Sequence, residues 1–375
     1  MKLLIVFVLL IISLISCNNA TNWESKVNNA EDLLKSFKKE IEIRSEVFIS
    51  DSVNLLNPFT IHIIGDYLFI EENLNPNNKF YSIYDIESKR YIGDFMSRGK
   101  GPNEFLRLKA GRFNNDTIMI LDVFKKEALL FSKKKIELLD EKPDRKFQLN
   151  VEKEGDLITG FLWLDNINQL ICNGQFGNGS LHRFDENGQW LDFFGSYPEI
   201  SSNKEIDNYQ LGFVFGTDAS LASNNKIKNK FACSESYAFS IYEKSSSSFE
   251  KKFVVQWNAS SVIDASYKDG RPLVLRSAKD IVGSGNIAAT EKYLFFPFSE
   301  YSNGELMKQR DPNFNKQILV LDWKGTPIVK MELDRGVSFP LEIDKKGEFL
   351  YSIHTDTNTG FPQIIRFNLQ CLKGI

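Results

Sequence analysis

"FYSIYDIESKRYIGDF", residues 80–95, decides the fold. An apolar run is followed by acidic turn chemistry and by a second run that ends apolar. Successive side chains of a strand face opposite sides, so the stretch reads as two antiparallel strands joined by a tight turn. The pattern recurs as "LLFSKKKIELLD" (129–140), "LHRFDENGQWLDFFG" (181–195), "FSIYEKSSSSFEKKF" (239–253) and "ILVLDWKGTPIVKMEL" (318–333), with "IIRFNL" near the C-terminus as an unfinished sixth. A second hairpin precedes most of these, as in "NNDTIMILD" and "EKYLFFPF". Two hairpins per unit make four strands, the blade of a β-propeller.

Turn chemistry separates the runs at Ile64-Gly65-Asp66, Asp185-Glu186-Asn187-Gly188, Asp322-Trp323-Lys324-Gly325 and Asp344-Lys345-Lys346-Gly347. Asn, Asp and Gly accept the positive φ that hairpin turns need. Six units between residue 57 and the C-terminus average about 53 residues each. Seven blades of about 45 would also fit the length, but the six repeats decide for six. Because "IIRFNL" lacks a partner, a strand near residues 45–50 is expected to complete the last blade and close the ring, hiding its edges. Beyond residue 45 no convincing helical stretch is read.

The balance of 46 Lys and Arg against 49 Asp and Glu is mildly acidic. With no basic stripe, a nucleic-acid partner is excluded. The 31 Phe, 12 Tyr and 5 Trp supply ample core for a large β domain. Beyond Cys17 there are Cys172, Cys233 and Cys371, none at CxxC spacing. They read as small buried apolar residues, with one disulfide and a spare thiol as the alternative.

The chain opens "MKLLIVFVLLIISLISCNN". Lys2 is a positive n-region, and Leu3–Ile12 is an apolar run short for a bilayer span. Leu14-Ile15-Ser16-Cys17 resembles the lipobox of bacterial lipoproteins. The resemblance implies a signal peptide over residues 1–16 and lipidation at Cys17, with acyl chains holding the product on a membrane. Asn18 is not the aspartate that retains lipoproteins in an inner membrane, which favours the outer membrane; the leaflet is not readable. Residues 17–45 read as the lipidated cysteine and a polar tether, with room for one short helix on Leu33, Phe37 and Ile41. An extended lead into the first strand is the alternative. Residues 46–375 form the propeller domain.

"SRGKGPNEF" (97–105) invites a phosphate reading, but no third glycine with a following helix and no Gly-Lys-Ser/Thr is present. It falls between one blade's outer strand and the next blade's inner strand, so it reads as a structural turn. Gly99 and Gly101 allow positive φ, Pro102 fixes its own φ, and Glu104 is placed to accept backbone N–H groups or to pair with Arg98 or Lys100. "GKGPNEF" resembles the G-[RK]-G-P-x-E-F segment of TolB-like six-bladed propeller lipoproteins of Gram-negative bacteria. The lipobox, "NPFTIHIIGDYLFI", "YSIYDIESKRYIGDF" and "FGSYPE" (194–199) share the resemblance. NHL-like propellers carry a related turn. The resemblance implies fold and address and no established reaction.

Catalytic patterns are sparse. His62, His182 and His354 lie far apart and read as polar strand or turn residues. No GxSxG elbow is present. "HTDTNTGFP" (354–362) lacks the terminal glutamate of a calcium loop and reads as a solvated tip. Glu71 and Glu72 face opposite sides of a strand. "KKKIELLDEKPDRK" (133–146) reads as a solvated edge guarded by lysines. No catalytic residue, metal ligand or cofactor is assigned. Arg107, Tyr209 and Arg276 are the candidate ligand contacts at the propeller's mouth, and the stretches 196–235 and 299–316 are candidate partner loops.

The expected function is a membrane-anchored, non-enzymatic envelope lipoprotein whose propeller binds a protein, peptide or glycan. The alternative is a cation-dependent propeller hydrolase or lyase acting on a carbohydrate or lactone, built from scattered acids. Two carboxylates on one cation-sized hole would favour the alternative; a basic or apolar channel would argue against it.

Overall fold

The computed structural model describes residues 27–50, 55–114, 117–198, 200, 205–217, 219–224, 226–235, 238–246, 248–257, 262–338 and 340–374. Six antiparallel sheets follow one another around a ring. Blade one is Pro58–Ile64, Tyr67–Glu72, Lys79–Asp85 and Tyr91–Ser97, counted from the axis outward. The inner strands of the other blades are Leu108–Arg112, Leu157–Leu164, Ser220–Ala222, Ile281–Ser284 with Ala288–Ala289, and Leu341–Ile343. The inner strand of blade six touches that of blade one, so the ring closes.

Every residue of Tyr67–Glu72 is buried, and Leu121 and Leu170 of the equivalent strands are fully so. A second strand is covered on both faces by its neighbouring blades, so it reads as a nearly continuous apolar run. Six apolar clusters fill the six gaps between blades. Between blades one and two, for example, Phe95 meets Phe131 edge to face at 5.3 Å beside Phe69, Tyr81 and Ile120. Each such side chain stabilises the ring by about 1.5–3 kcal/mol.

The strand expected near residues 45–50 is Ser45–Ile49. It pairs antiparallel with Pro362–Asn368, from Ser45 opposite Phe367 to Ile49 opposite Ile364, and becomes the outer strand of blade six. Phe48 fixes it, with its ring edge-on to Tyr351 at 5.1 Å. The preceding residues are also part of the sheets. Val27–Asn29 lies parallel to Phe249–Gln256 on blade four, and Glu40–Ile43 lies parallel to Pro327–Val337 on blade five. The helix Ala30–Ser36 between them buries Leu33, and Phe37 follows it into the same cluster as Trp257 and Trp323. Ile41 belongs to a strand, so its spacing from Phe37 is not helical.

Three stretches depart from the sequence reading. "KKKIELLD" is not a hairpin: Lys133–Glu137 is a short helix, and the outer strand of blade two starts at Arg145. Nor is 133–146 a purely solvated edge. Ile136 is fully buried, and Glu141 accepts from the Met96 N–H (2.8 Å) and from Lys79 (2.6 Å), clamping the segment onto blade one. The insertions carry short helices at Asn208–Leu211 and Asn303–Gln309, where the sequence was read as free of helix. Both start on a reciprocal capping box, Asp207 with Gln210 and Ser302 with Glu305, which the sequence displays. Finally, Val262–Lys268 and Arg271–Arg276 form a separate hairpin between blades four and five. Its Asp269-Gly270 turn, with φ of 51° and 73°, supplies the two left-handed residues that a two-residue hairpin needs.

Candidate functional site

Inner strands start at one face of the ring, where the crossings between blades and the loops joining second to third strands also lie. This crossing face is opposite the turn face, which holds the tight turns ending the inner strands.

"SRGKGPNEF" is the crossing from blade one to blade two. Gly99 has φ of 147°, and its N–H donates to Phe105 O at 3.0 Å. Glu104 folds back to accept the Gly101 N–H at 2.8 Å. Gly101 itself is not left-handed; it leaves space, since a Cβ there would lie 3.0 Å from the Glu104 carboxylate. Arg98 does not pair with Glu104. It donates to the backbone oxygens of Glu72 and Lys79 and lies 4.0 Å from the Phe80 ring centre. The loop therefore holds backbone together and offers no anion cradle. Gly99→Ala would place a Cβ 2.0 Å from Glu104 Oε2 in a backbone region unfavourable to alanine. A loss of about 1–3 kcal/mol is expected, read as a lower urea midpoint with unchanged slope.

Along the ring axis runs a cavity of about 1880 Å³, walled by the six inner strands and reaching both faces. Arg107 and Arg276 line it, as the sequence reading placed them; Arg107 makes no side-chain bond among the described residues. Lys109 lies beside Arg107, with its Nζ 3.8 Å from Glu71 Oε2 and 5.7 Å from the Phe59 ring centre. At the turn face, Asp66 of blade one accepts from Lys133 of blade two (2.8 Å) and from Lys345 of blade six. Those two bonds hold its carboxyl below the usual range. Midway, His62 Nδ1 lies 3.6 Å from Glu342 Oε1 across the joint between blades one and six. In all, ten Lys and Arg but five Asp and Glu line the cavity of a protein whose overall charge is −3.

Tyr209 is not among the lining residues. Its hydroxyl donates to Asp156 Oδ1 at 3.2 Å and its ring covers Gly155 and Gly177. Burial first, then the Asp156 carboxylate, pushes the phenol up to about 12. His182 is fully buried on the other side of Asp156, stacked on Phe176 at 3.8 Å, with Nε2 2.9 Å from Asn178 O and Nδ1 4.0 Å from Asp156 Oδ2. Burial lowers its pKa. Asp156 also accepts the Gly177 N–H at 3.1 Å, so the cluster ties loops together beneath the surface.

The carboxylate in "HTDTNTGFP" closes its own turn: Asp356 Oδ1 accepts from the N–H groups of Asn358 (2.8 Å) and Thr359 (3.2 Å). His354 bonds Gly336 O at 2.8 Å. Among the described residues no group of three His, Cys, Asp or Glu is arranged to hold a metal. Cys172 and Cys233 are buried free thiols raised by burial, and Cys371 is free and exposed. Glu71 and Glu72 are both buried, which the sequence reading did not anticipate. Residues 1–16 and Cys17 lie outside the described residues.

Six four-stranded units around a central cavity, closed by an N-terminal strand, define a six-bladed β-propeller. The family described as TolB-like 6-blade propeller-like matches residues 36–346, and the chain belongs to it. Two solved structures are similar. One is a Bacteroides fragilis protein described as exported, at 12% identity and a TM-score of 0.53, covering 91% of this chain and 99% of that one. The other is a member of the DUF4221 family from Bacteroides vulgatus, at 12% identity and a TM-score of 0.55, covering 88% and 98%. At this identity they show the shared fold. No curated protein matches the chain.

Proposed function

We propose that the chain is an exported envelope lipoprotein, anchored through Cys17, whose propeller is a rigid non-enzymatic scaffold docking a protein partner on its crossing face. The carrying observation is where apolar surface is exposed. Of the fifteen large apolar side chains exposed among the described residues, eleven lie on the crossing face, including Phe59, Leu106, Phe124, Leu273, Leu275 and Phe361. Single exposed apolar residues are ordinary, but a concentration on one face marks an interaction surface. The separate hairpin adds Tyr267, Leu273 and Leu275. Its inner side is fastened through Val274 to the small cluster of Tyr197, Val214 and Phe215.

Export is supported by the apolar leader and by the fold shared with the B. fragilis protein described as exported. Lipidation is supported by Leu14-Ile15-Ser16-Cys17, and Asn18 favours the outer membrane. The hydrolase reading would need carboxylates turned together onto one hole. Three of the five acids at the cavity are otherwise engaged: Asp66 by two lysines, Glu291 by Lys226 at 3.1 Å, and Asp344 by the N–H groups of Glu348 and Phe349; Glu342 faces His62 at 3.6 Å, and no three acids or histidines among the described residues are grouped to hold a cation.

The test is in-cell crosslinking from the crossing face followed by recovery of the adduct. Leu273→Asp combined with Leu275→Asp is expected to reduce the adduct about tenfold while the melting curve stays put. Recovery of the same adduct from a crosslinker on the turn face, indifferent to the double variant, would overturn the assignment.

A further inference from the structure

The cavity's charge is opposite to the chain's. Paired cations explain part of it: Lys133 and Lys345 hold Asp66, Lys226 holds Glu291, and Arg112 lies 3.3 Å from Asp165. A surplus remains. Among the described residues Arg107, Lys292, Lys346 and Lys373 make no ion pair. Three of these come from turns that abut one another. The space at Gly347 opens onto Thr290, two residues from Lys292, with 3.4 Å from an ideal Cβ to Thr290 Cγ2. The Leu369 N–H, at the start of the C-terminal turn bearing Lys373, donates to Glu348 O at 2.8 Å. Arg107 and Lys109 stand near the other mouth. Cations focused in a low-dielectric channel raise the local concentration of anions.

The other lining groups narrow the ligand. Asn57, Asn73 and Asn286 carry side-chain amides with no hydrogen bond among the described residues. Of the exposed apolar side chains, only Leu56 and Phe59 reach the cavity, both at one mouth. The walls also carry half-buried apolar side chains, among them Phe161, Leu162, Leu221 and Ile343, on which the apolar faces of sugar rings can lie. The walls offer donors as well, which suit a chain dense in acceptors. A small-molecule site occupies about 300–1,000 Å³, and this space is larger.

From this geometry we infer that the cavity binds an acidic oligosaccharide, a sugar chain bearing carboxylate or sulfate groups. Hydroxyl oxygens meet the asparagine amides and the acid groups meet Arg107 at one mouth and Lys292, Lys346 and Lys373 at the other. The inference rests on reading the ring as a binding scaffold, and adds to it a second site, the cavity, whose mouth at Arg107 adjoins the apolar crossing face at Phe59.

The test uses the full-length protein purified in detergent and calorimetric titration with an oligogalacturonate, a sulfated heparin-derived oligosaccharide, neutral maltohexaose and an oligoglutamate. An acidic sugar is expected to bind, the stronger of the two naming the acid group, and the neutral one is not. Arg107→Glu, Lys292→Glu and Lys346→Glu are each expected to weaken binding about tenfold. Lys252→Glu, exposed on the outer strand of blade four and away from the cavity, is expected to leave it unchanged. Binding should vanish near 1 M salt, where the screening length falls to about 3 Å. Equal binding of maltohexaose, tighter binding of the oligoglutamate, equal loss in Lys252→Glu, or no binding at all would overturn the inference. Crosslinking at the crossing face is read separately, so a scaffold that captures its protein but takes no sugar would retain the first reading and lose this one.

Discussion

At pH 8.5 the Glu72→Gln variant is expected to be more stable than the parent protein by about 3 kcal/mol, and at pH 5 by less than about 1 kcal/mol. Glu72 ends the second strand of blade one with no exposed surface. Its Oε2 accepts the Asn57 N–H at 2.8 Å, and its Oε1 has no partner. Burial pushes the carboxyl from 4.5 up to about 7; Asp94 adds to the rise, while the Asn57 bond and Arg98 restrain it. The folded state thus holds this proton more tightly than the unfolded chain. Ionisation costs nothing extra below about pH 4.5, a growing amount up to 7, and the full penalty above. Glutamine keeps an acceptor for Asn57 and removes the ionisation. Many other carboxylates shift the opposite way, including Asp66 and Asp85, so the parent's own pH curve will not isolate Glu72. The difference between the two proteins' urea-derived stabilities at the two pH values does. A gain equal at both values, or none at pH 8.5, would show that Glu72 is not a buried acid titrating near neutrality.

Much of the ring was legible because its outer hairpins are local. Tyr84 and Tyr91 face each other across a turn, and Asp85 closes that turn by accepting from Ser88 at 2.7 Å, so residue types in order suffice. The same holds for Asp322, which accepts the N–H groups of Lys324 and Thr326. The parallel strands Val27–Asn29 and Glu40–Ile43 had no such signal. Each joins a sheet whose partner lies far along the chain, so even the alternating Glu40-Ile41-Glu42-Ile43 does not name the strand it pairs with. The cavity was legible only where a residue's place on its strand fixed it. Arg107 precedes the inner strand of blade two and so stands at the mouth. Tyr209 was misjudged because its loop coils into a capped helix that turns the ring onto Asp156. The charge surplus could not be seen either: Asp66 meets Lys133 and Lys345 from separations of 67 and 279 residues.

A chain that begins after residue 50 is expected not to fold cooperatively, and moving residues 38–50 behind Gly374 on a short linker is expected to restore most of the loss. Truncation removes the outer strand of blade six together with the helix Ala30–Ser36 and the strands added to blades four and five. It uncovers Pro362–Asn368, leaving a row of unpaired N–H and C=O groups and the apolar Ile364, Ile365 and Phe367 at an open edge. Phe48 and Ile49 also leave the cluster that joins blade six to blade one. Losing Phe48 alone costs about 3–5 kcal/mol, so the deletion exceeds the ~5–15 kcal/mol that holds a typical domain together. The relocated segment can pair in the same sense. Ser45 sits opposite Phe367, near the C-terminal turn Leu369–Leu372, so a linker from Gly374 can lead back into the antiparallel strand. Melting followed by near-ultraviolet circular dichroism reads both variants. A truncated chain that melts like the parent would mean the ring does not depend on this strand. A relocated segment that restores nothing would mean the strand acts through its covalent link to the preceding residues rather than by closing the last blade.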